Sequence, residues 1–354
     1  MSLKKNVLIL TPGFPENEND SDCISPLQEY LKELLVNYSD LNISVIAVHY
    51  PYKRSVYLWN GITVYACGAK NCKQPLRLYY WCLSVLYALA INRNSKINLV
   101  HSFWLNETAL IGSIICRLLK VKHVNTMMGQ EVKQKNKYLK IINLKNIFKV
   151  ALTGYQSKFF YQAFKMNPDK IISWGIKSFD VADKPRTIDL LGVGSLIPVK
   201  NFSLFIKIIK NLKDEFKTIK CVIIGQGEQY EELQGLIFKY GLSDNILLTG
   251  LLSRELVLSK MKESKILLHT SNYESFGFVI AEALAAGCYV VSREVGCASQ
   301  SDKLFSLKEN VQFETIISNL LKNAAEFNPK NLFPVEYTAQ MYAELYGNLS
   351  TGLE

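Results

Sequence analysis

Residues 266–287 read ILLHTSNYESFGFVIAEALAAG, and three patterns follow one another within them. Ile266–His269 is an apolar run of strand length. Thr270 to Gly277 is mostly polar and closes on a Ser-Phe-Gly turn. From Phe278 the chain is apolar over a helical length until Gly287, a residue that favours helix termination. Strand, turn and helix in that order make half of a βαβ unit. A helix entered this way begins at the carboxyl end of its strand, where its free N–H groups and dipole favour a phosphate, and Gly277 lets that phosphate approach the backbone. Glu274 and Glu282 stand on either side of the turn. Eight positions cover about 12 Å at helical rise, so the two carboxylates can bracket a diphosphate and accept hydroxyl hydrogen bonds from the sugars beyond it. The same two acids also read as an anion at a helix N-terminus and a buried ion-pair partner.

Outward from this unit the pattern repeats. Val7–Leu10, Ile43–Val48, Ile62–Tyr65, Leu99–His101, Lys122–Thr126, Lys149–Leu152 and Lys170–Ile172 are strand-like runs, separated by helical patterns such as Leu27–Val36 and Leu105–Leu119. After the polar, proline-containing stretch Asp180–Thr187 a second strand set begins: Asp189–Val193, Cys221–Ile224, Ile246–Thr249, Ile266–His269 and Tyr289–Ser292. Helices are expected between them near Phe202–Asn211, Glu228–Lys239, Ser253–Lys262 and Phe278–Ala286. The expected architecture is α/β, with two tandem Rossmann-like, doubly wound domains facing a central cleft, over residues 1–179 and 180–333. A closing helix over 334–354 is expected to pack back on the first domain. Ligands of such sheets bind outside the strand carboxyl ends, so the cleft is the expected site.

Composition narrows the class. With 354 residues, 49% hydrophobic and 20% charged, the chain can bury two sizeable cores. MSLKKNVLILTPGFP reads as a first strand, with an apolar stretch too short for a signal peptide. Leu78–Ile91 (LYYWCLSVLYALAI) is shorter than the roughly 20 residues that span a bilayer. It reads as a buried helix, with a membrane-facing helix as the other reading. The eight cysteines include no CxxC pair and no partnered histidine spacing, so they are expected to be reduced packing residues of a cytoplasmic protein, and no metal site follows from them. The net charge of +10 is uneven: residues 1–175 hold about 22 Lys and Arg against 10 Asp and Glu. Lys133, Lys135, Lys137, Lys140, Lys145 and Lys149 form a run within that half. Such a surface suits an anionic membrane or an acidic acceptor, or is simply a solvated face; it lacks the interleaved aromatics of a nucleic-acid groove, and no nucleic-acid partner is expected.

Two further stretches bear on chemistry. In LLGVGSLIPVKN a Gly-Ser loop follows a strand and Lys200 precedes a helix, which places a flexible cation where it can neutralise phosphate oxygens. In IIGQGEQYEEL, Gly225 and Gly227 follow a strand and allow a flat base to approach the backbone.

Taken together, EsFGfvxAEALAaG (Glu274 to Gly287), VGSLIPVKN (Gly194 to Asn201), IGQGE (Gly225 to Glu228), LTGLLSRELV (Gly250 to Val257) and ISWGIK (Gly175) resemble the family 4 retaining glycosyltransferases of the GT-B fold, of the type that assembles bacterial glycans. TPGFPENENDSDCISPLQEYL, VHSFWLNETALIG and MMGQEVKQKNKY are more loosely similar to that family's acceptor-side loops. The resemblance implies transfer of a sugar from a UDP- or GDP-sugar to a glycan or lipid-linked acceptor, with retention of anomeric configuration, no cofactor and no required metal. It implies that Glu274 contacts donor-sugar hydroxyls, Glu282 the ribose, Lys200 the diphosphate and the amides of Phe276 to Phe278 the distal phosphate. The same resemblance implies that Gly225, Gly227 and the Gly250–Leu251 loop border the base. On the acceptor side it points to Gly13, Gln130 and Glu131, and to His101 near the anomeric centre.

The chain departs from the family pattern in places. Ser195 stands where the family often has Arg, which leaves Lys200 more of the phosphate charge to balance; Gly13 with Pro12 replaces a Gly-Gly pair; and HSFW replaces an HxH-like pair, so that His101 reads as either catalytic or structural. His49, His123 and His269 lie in strand patterns and read as core. No residue presents itself as a covalent nucleophile, which favours front-face displacement with the leaving phosphate assisting deprotonation of the acceptor. Two other readings are a nucleotide-sugar epimerase of the same fold and an inactive, partner-binding subunit.

Overall fold

The alternation of strand and helix is present twice in the computed structural model, which describes residues 4–70, 72–73, 75–132, 136–178, 185–298, 302–323 and 326–351. The first unit comprises Met1–Gly175 together with Val335–Glu354, and the second Ile176–Pro334.

Unit 1 contains strands β1 (Lys5–Gly13), β2 (Leu41–Tyr50), β3 (Ser55–Trp59), β4 (Ile62–Ala66), β5 (Leu99–Phe103), β6 (Lys122–Thr126), β7 (Phe148–Ala151) and β8 (Lys170–Ile171). They form one sheet in the order β3-β4-β2-β1-β5-β6-β7-β8, parallel throughout except where β3 pairs antiparallel with β4. Its helices are α1 (Ser25–Asn37), α2 (Leu76–Asn94), α3 (Glu107–Leu119), α4 (Gly154–Phe164) and the closing α10 (Val335–Thr351). From β1 the chain winds outward through β2 and then returns to the other side through β5, so the direction of winding reverses between β1 and β5. Leu8, Leu10, Ile46, Val48, Val100, Ile111 and Ile115 form one core layer. Parallel strands buried on both faces have near-continuous apolar sequences, which is why these runs were legible.

Unit 2 contains β9 (Ile188–Val193), β10 (Cys221–Ile224), β11 (Ile246–Leu248), β12 (Ser264–His269), β13 (Tyr289–Arg293) and β14 (Leu304–Leu307). Its helices are α5 (Phe202–Leu212), α6 (Tyr230–Lys239), α7 (Arg254–Lys262), α8 (Phe278–Ala285) and α9 (Gln312–Asn323). The sheet is fully parallel, ordered β11-β10-β9-β12-β13-β14, and its winding reverses between β9 and β12. Phe205, Ile206 and Ile209 of α5 and Phe313 and Ile317 of α9 pack against Ile223, Ile266, Leu268 and Val291.

The structure differs from the sequence reading in three respects. The strands β3 and β14 and the helix α9 were not anticipated. The change of unit comes at Gly175–Ile176, before the expected boundary, because Ile176 donates its N–H to Phe333 O at 2.8 Å and bridges to Pro334; residues 180–184 of the expected linker lie outside the described residues, as do Lys133 and Lys135 of the lysine run. The expected buried helix over Leu78–Ile91 is α2, and it is not buried: Leu83, Ser84, Ala88 and Ile91 pack inward, while Leu78 is 50% and Leu86 61% exposed. Among the described residues no helix is long and apolar enough to cross a membrane. All eight cysteines are free. Five are buried, and burial raises the thiols of Cys67 and Cys288 to about 11, as expected of packing residues.

Candidate active site

In unit 2 the side chains of interest collect at the carboxyl ends of β9 and β12, the two strands between which winding reverses. After β9 the chain makes a loop and a 3-10 turn over Pro198–Lys200 before α5 begins. After β12 it runs through Thr270–Phe276 into α8. The two connections are tied to each other: Asn272 N donates to Val199 O at 2.7 Å, Ser271 Oγ to Val199 O at 3.2 Å, and Thr270 Oγ1 to Lys200 O at 3.1 Å. This lacing fixes the backbone of Lys200 beside that of Glu274.

Their side chains meet. Lys200 Nζ lies 2.5 Å from Glu274 Oε1, and His269 Nε2, at the end of β12, lies 3.2 Å from the same oxygen. Burial acts to raise the Glu274 carboxyl, but the neighbouring His269 and the Lys200 ammonium overcome it and hold the group at about 2. His269 is therefore a direct partner of the candidate sugar-binding carboxylate, which corrects its reading as core alone.

The turn into α8 is set by Gly277, whose φ of +90° lies in the region that favours glycine. No side chain caps the helix that follows. Phe276 O accepts from Cys297 N at 2.7 Å, so the connection after β13 closes over the other side of the turn. Within α8, Glu282 is 7% exposed, and its Oε1 lies 2.7 Å from Arg254 Nη1 at the start of α7. Burial pushes the Glu282 carboxyl up, against the pull of Arg254. Arg254 is the functional candidate that the sequence reading missed. A cation in the first turn of a helix opposes the dipole, and that mismatch is a signal that it serves another partner.

Gly225 and Gly227 lie where expected, at the end of β10, but their requirement for glycine has another cause. A Cβ at Gly225 would run into Gly194 O, and one at Gly227 into Leu196 O. The two loops are laced by Leu196 N to Gln226 O and Gln229 N to Leu196 O, both at 3.0 Å. The glycines thus let one backbone approach another. Ser195 is exposed in the first of these loops, and Leu251, after Gly250, is 73% exposed.

In unit 1 the candidates are not gathered in this way. Gly13 ends β1 in register with Tyr50 and is buried. Gln130 is exposed in a 3-10 turn. Glu131 turns inward, its Oε1 accepting from Met128 N at 2.6 Å and Leu105 N at 3.4 Å, so the carboxylate anchors its own loop. His101 requires a correction. It has no exposed surface, and both ring nitrogens are committed, Nδ1 to Tyr346 Oη at 2.6 Å and Nε2 to Thr126 Oγ1 at 2.8 Å. Burial, then the neighbouring His123, lowers its pKa well below the ordinary value, which leaves it a neutral structural group beneath α10.

A polar cluster does stand at the carboxyl ends of this sheet, around a residue not singled out from the sequence. Glu107, at the start of α3, is 5% exposed and pairs with His49 Nε2 at 3.0 Å and Arg77 Nε at 3.4 Å, and Trp81 Nε1 also donates to it. His49, like His269, is thus more than core. A separate cavity of about 640 Å³ in unit 1, lined by Leu110, Ser113, Arg117, His123 and Asn146 among others, holds none of the candidates. Among the described residues no group of three or more His, Cys, Asp or Glu is placed to hold a metal ion.

Residues 177–301 match the family of glycosyl transferases group 1, a span that contains Lys200, Arg254, Glu274 and Glu282. An uncharacterized glycosyltransferase of Methanocaldococcus jannaschii is 28% identical over 227 residues, which cover 58% of each chain. An N-acetylgalactosaminyltransferase of Campylobacter jejuni, named for a diphospho-undecaprenol substrate, is 31% identical over 42% of this chain and 39% of its own length. The chain thus spans less than two thirds of these curated relatives. Among solved structures, the sucrose-phosphate synthase of Thermosynechococcus elongatus superposes with a TM-score of 0.76 at 16% identity, covering 99% of this chain and 100% of that one. HepE of Anabaena, solved in complex with UDP and glucose, gives 0.67 at 15% identity, covering 99% and 98%. The protein has the GT-B fold, and its match to the glycosyl transferases group 1 lies in unit 2.

Proposed function

We propose that the protein is a retaining glycosyltransferase of the family 4 type that moves a sugar from a nucleotide diphosphate sugar to a hydroxyl of a glycan or lipid-linked acceptor. The observation that carries this reading is the meeting of Lys200 and Glu274 where the unit 2 sheet reverses its winding, beside the start of α8. A diphosphate placed there finds the Lys200 ammonium and the positive end of a helix dipole. Glu274, kept ionised by its neighbours, accepts hydroxyl hydrogen bonds from the transferred sugar. Glu282, oriented by Arg254, does the same for the ribose.

Bond cleavage transfers negative charge to the leaving diphosphate, and Lys200 and the helix terminus stabilise it there. The departing phosphate oxygen takes the proton of the acceptor hydroxyl, so both bond changes occur on one face and configuration is retained. No step calls on a metal. UDP is favoured as the nucleotide by the structural neighbours solved with it, and a lipid-linked acceptor in surface-glycan synthesis by the Campylobacter relative. Catalysis in the cytoplasm is part of this reading.

Incubation with UDP- and GDP-sugars and a panel of glycan and lipid-linked acceptors, followed by proton NMR of the product, tests the reading. A new glycoside with the donor's anomeric configuration is expected. An inverted product refutes retention, and donor conversion without acceptor replaces transfer by epimerisation.

A further inference from the structure

Helix α2 is apolar on both sides. One side belongs to the unit 1 core, where Leu83, Ala88 and Ile91 pack against Ile46, Val48, Ile111 and Ile115. On the other, Leu78, Cys82, Leu86, Leu89 and Arg93 recur at spacings of four, four, three and four residues and so form one stripe along the helix. Every member is exposed, and Tyr79 beside them is 51% exposed. A helix apolar all round is ordinarily buried, and an apolar stripe left in water marks an interaction surface.

Charge identifies what the stripe fits. Between Pro51 and Val100 the sequence holds seven Lys and Arg and no Asp or Glu. Arg77 turns inward to Glu107; the remaining six are exposed. They flank the stripe, with Lys70 and Lys73 ahead of the helix and Arg93 and Lys96 at its end. Alongside it, Arg54 is held by Tyr87 Oη at 2.9 Å and Tyr79 Oη at 3.5 Å. Long basic side chains around an apolar stripe suit an interface in which the stripe enters the acyl boundary and the cations remain among anionic headgroups. A second copy of the chain is a poor occupant, because a two-fold contact would set this all-basic rim against itself. The helix is not long and apolar enough to cross a membrane, so it would lie in the plane of the surface.

We propose that the exposed face of α2 seats the protein on an anionic lipid bilayer. This goes beyond the transferase reading and does not depend on it.

Flotation of the full chain with vesicles of phosphatidylcholine, with and without phosphatidylglycerol, tests the seat. Wild-type protein is expected to float with the anionic vesicles and not with phosphatidylcholine alone, and to be released by high salt. The double substitution Leu78→Ser, Leu86→Ser is expected to lower partitioning by about tenfold with nucleoside-diphosphate binding unchanged and melting temperature little changed, because these side chains are 50% and 61% exposed in the folded state. Failure of the wild type to float overturns the proposal, as does a variant that floats like the wild type. A wild-type dimer in sedimentation that the double variant converts to monomer also overturns it, by assigning the stripe to self-association. Solution binding of UDP by the same variant is read separately, so a failed transferase reading is not mistaken for a failed membrane seat.

Discussion

Glu274 shows how a residue legible in sequence acquires its chemistry only from its neighbours. Its spacing from Glu282 and the glycine turn after it were readable, as was the loop cation at Lys200. That Lys200 and His269 both meet its Oε1 was not, because the contact depends on lacing between two connections some seventy residues apart. Arg254 was missed for the same reason, and His101 was misread because a strand-end histidine does not reveal that a helix more than two hundred residues later covers it. The depressed carboxyl of Glu274 carries a pH signature. A carboxylate held at about 2 in the folded state, against an ordinary 4.5, adds stability that is fully present above about pH 4.5 and is lost as pH falls towards 2. The contribution is on the order of 3 kcal/mol. In thermal melts across pH, Glu274→Gln is expected to melt below the wild type at neutral pH, and the gap to close on acidification through that window; a gap independent of pH contradicts the pairing.

At the scale of elements, most parallel strands announced themselves as continuous apolar runs, whereas two of the four edge strands, β3 and β14, did not. β3 is an antiparallel edge strand whose Val56 and Leu58 face water. Its readable signal was the Asn60-Gly61 turn, with φ of +45° and +83°, which closes a hairpin with β4. α2 was misjudged because composition shows that a helix is apolar but not how many of its sides find a partner. α10 was expected to return to the first domain, and it packs there through hydroxyls as well as carbon: Tyr346 joins Tyr30 at 2.6 Å and His101, and Tyr342 joins Thr126 at 2.7 Å. Every member of this network is buried, so removing one leaves its partners short of a bond in a dry environment. His101→Leu is expected to cost about 1–3 kcal/mol, seen as a lower melting temperature, while UDP binding is unchanged. Unaltered melting with abolished transfer would return His101 to the reaction centre.

For the whole molecule, the two sheets divide the expected work. Unit 2 contains the family match and the Lys200–Glu274 and Arg254–Glu282 pairs; unit 1 holds the basic excess, the Glu107 cluster and the exposed face of α2. The fold was legible because GT-B architecture repeats one strong local signal many times over, and each βαβ unit corroborates the next. The site was half legible: residues adjacent to strand ends could be named in advance, but their ion-pair partners depend on the sheet order, which the sequence does not state. The decisive measurement is calorimetric titration of UDP and GDP into wild-type protein and Lys200→Ala, with circular dichroism to verify the fold. Loss of a charge-assisted contact to phosphate is worth about 1.5–3 kcal/mol, so the better nucleotide is expected to bind the wild type and to lose at least tenfold in affinity in the variant. Equal affinity in the two proteins, or no binding of either nucleotide by the wild type, would contradict a diphosphate held at this strand reversal.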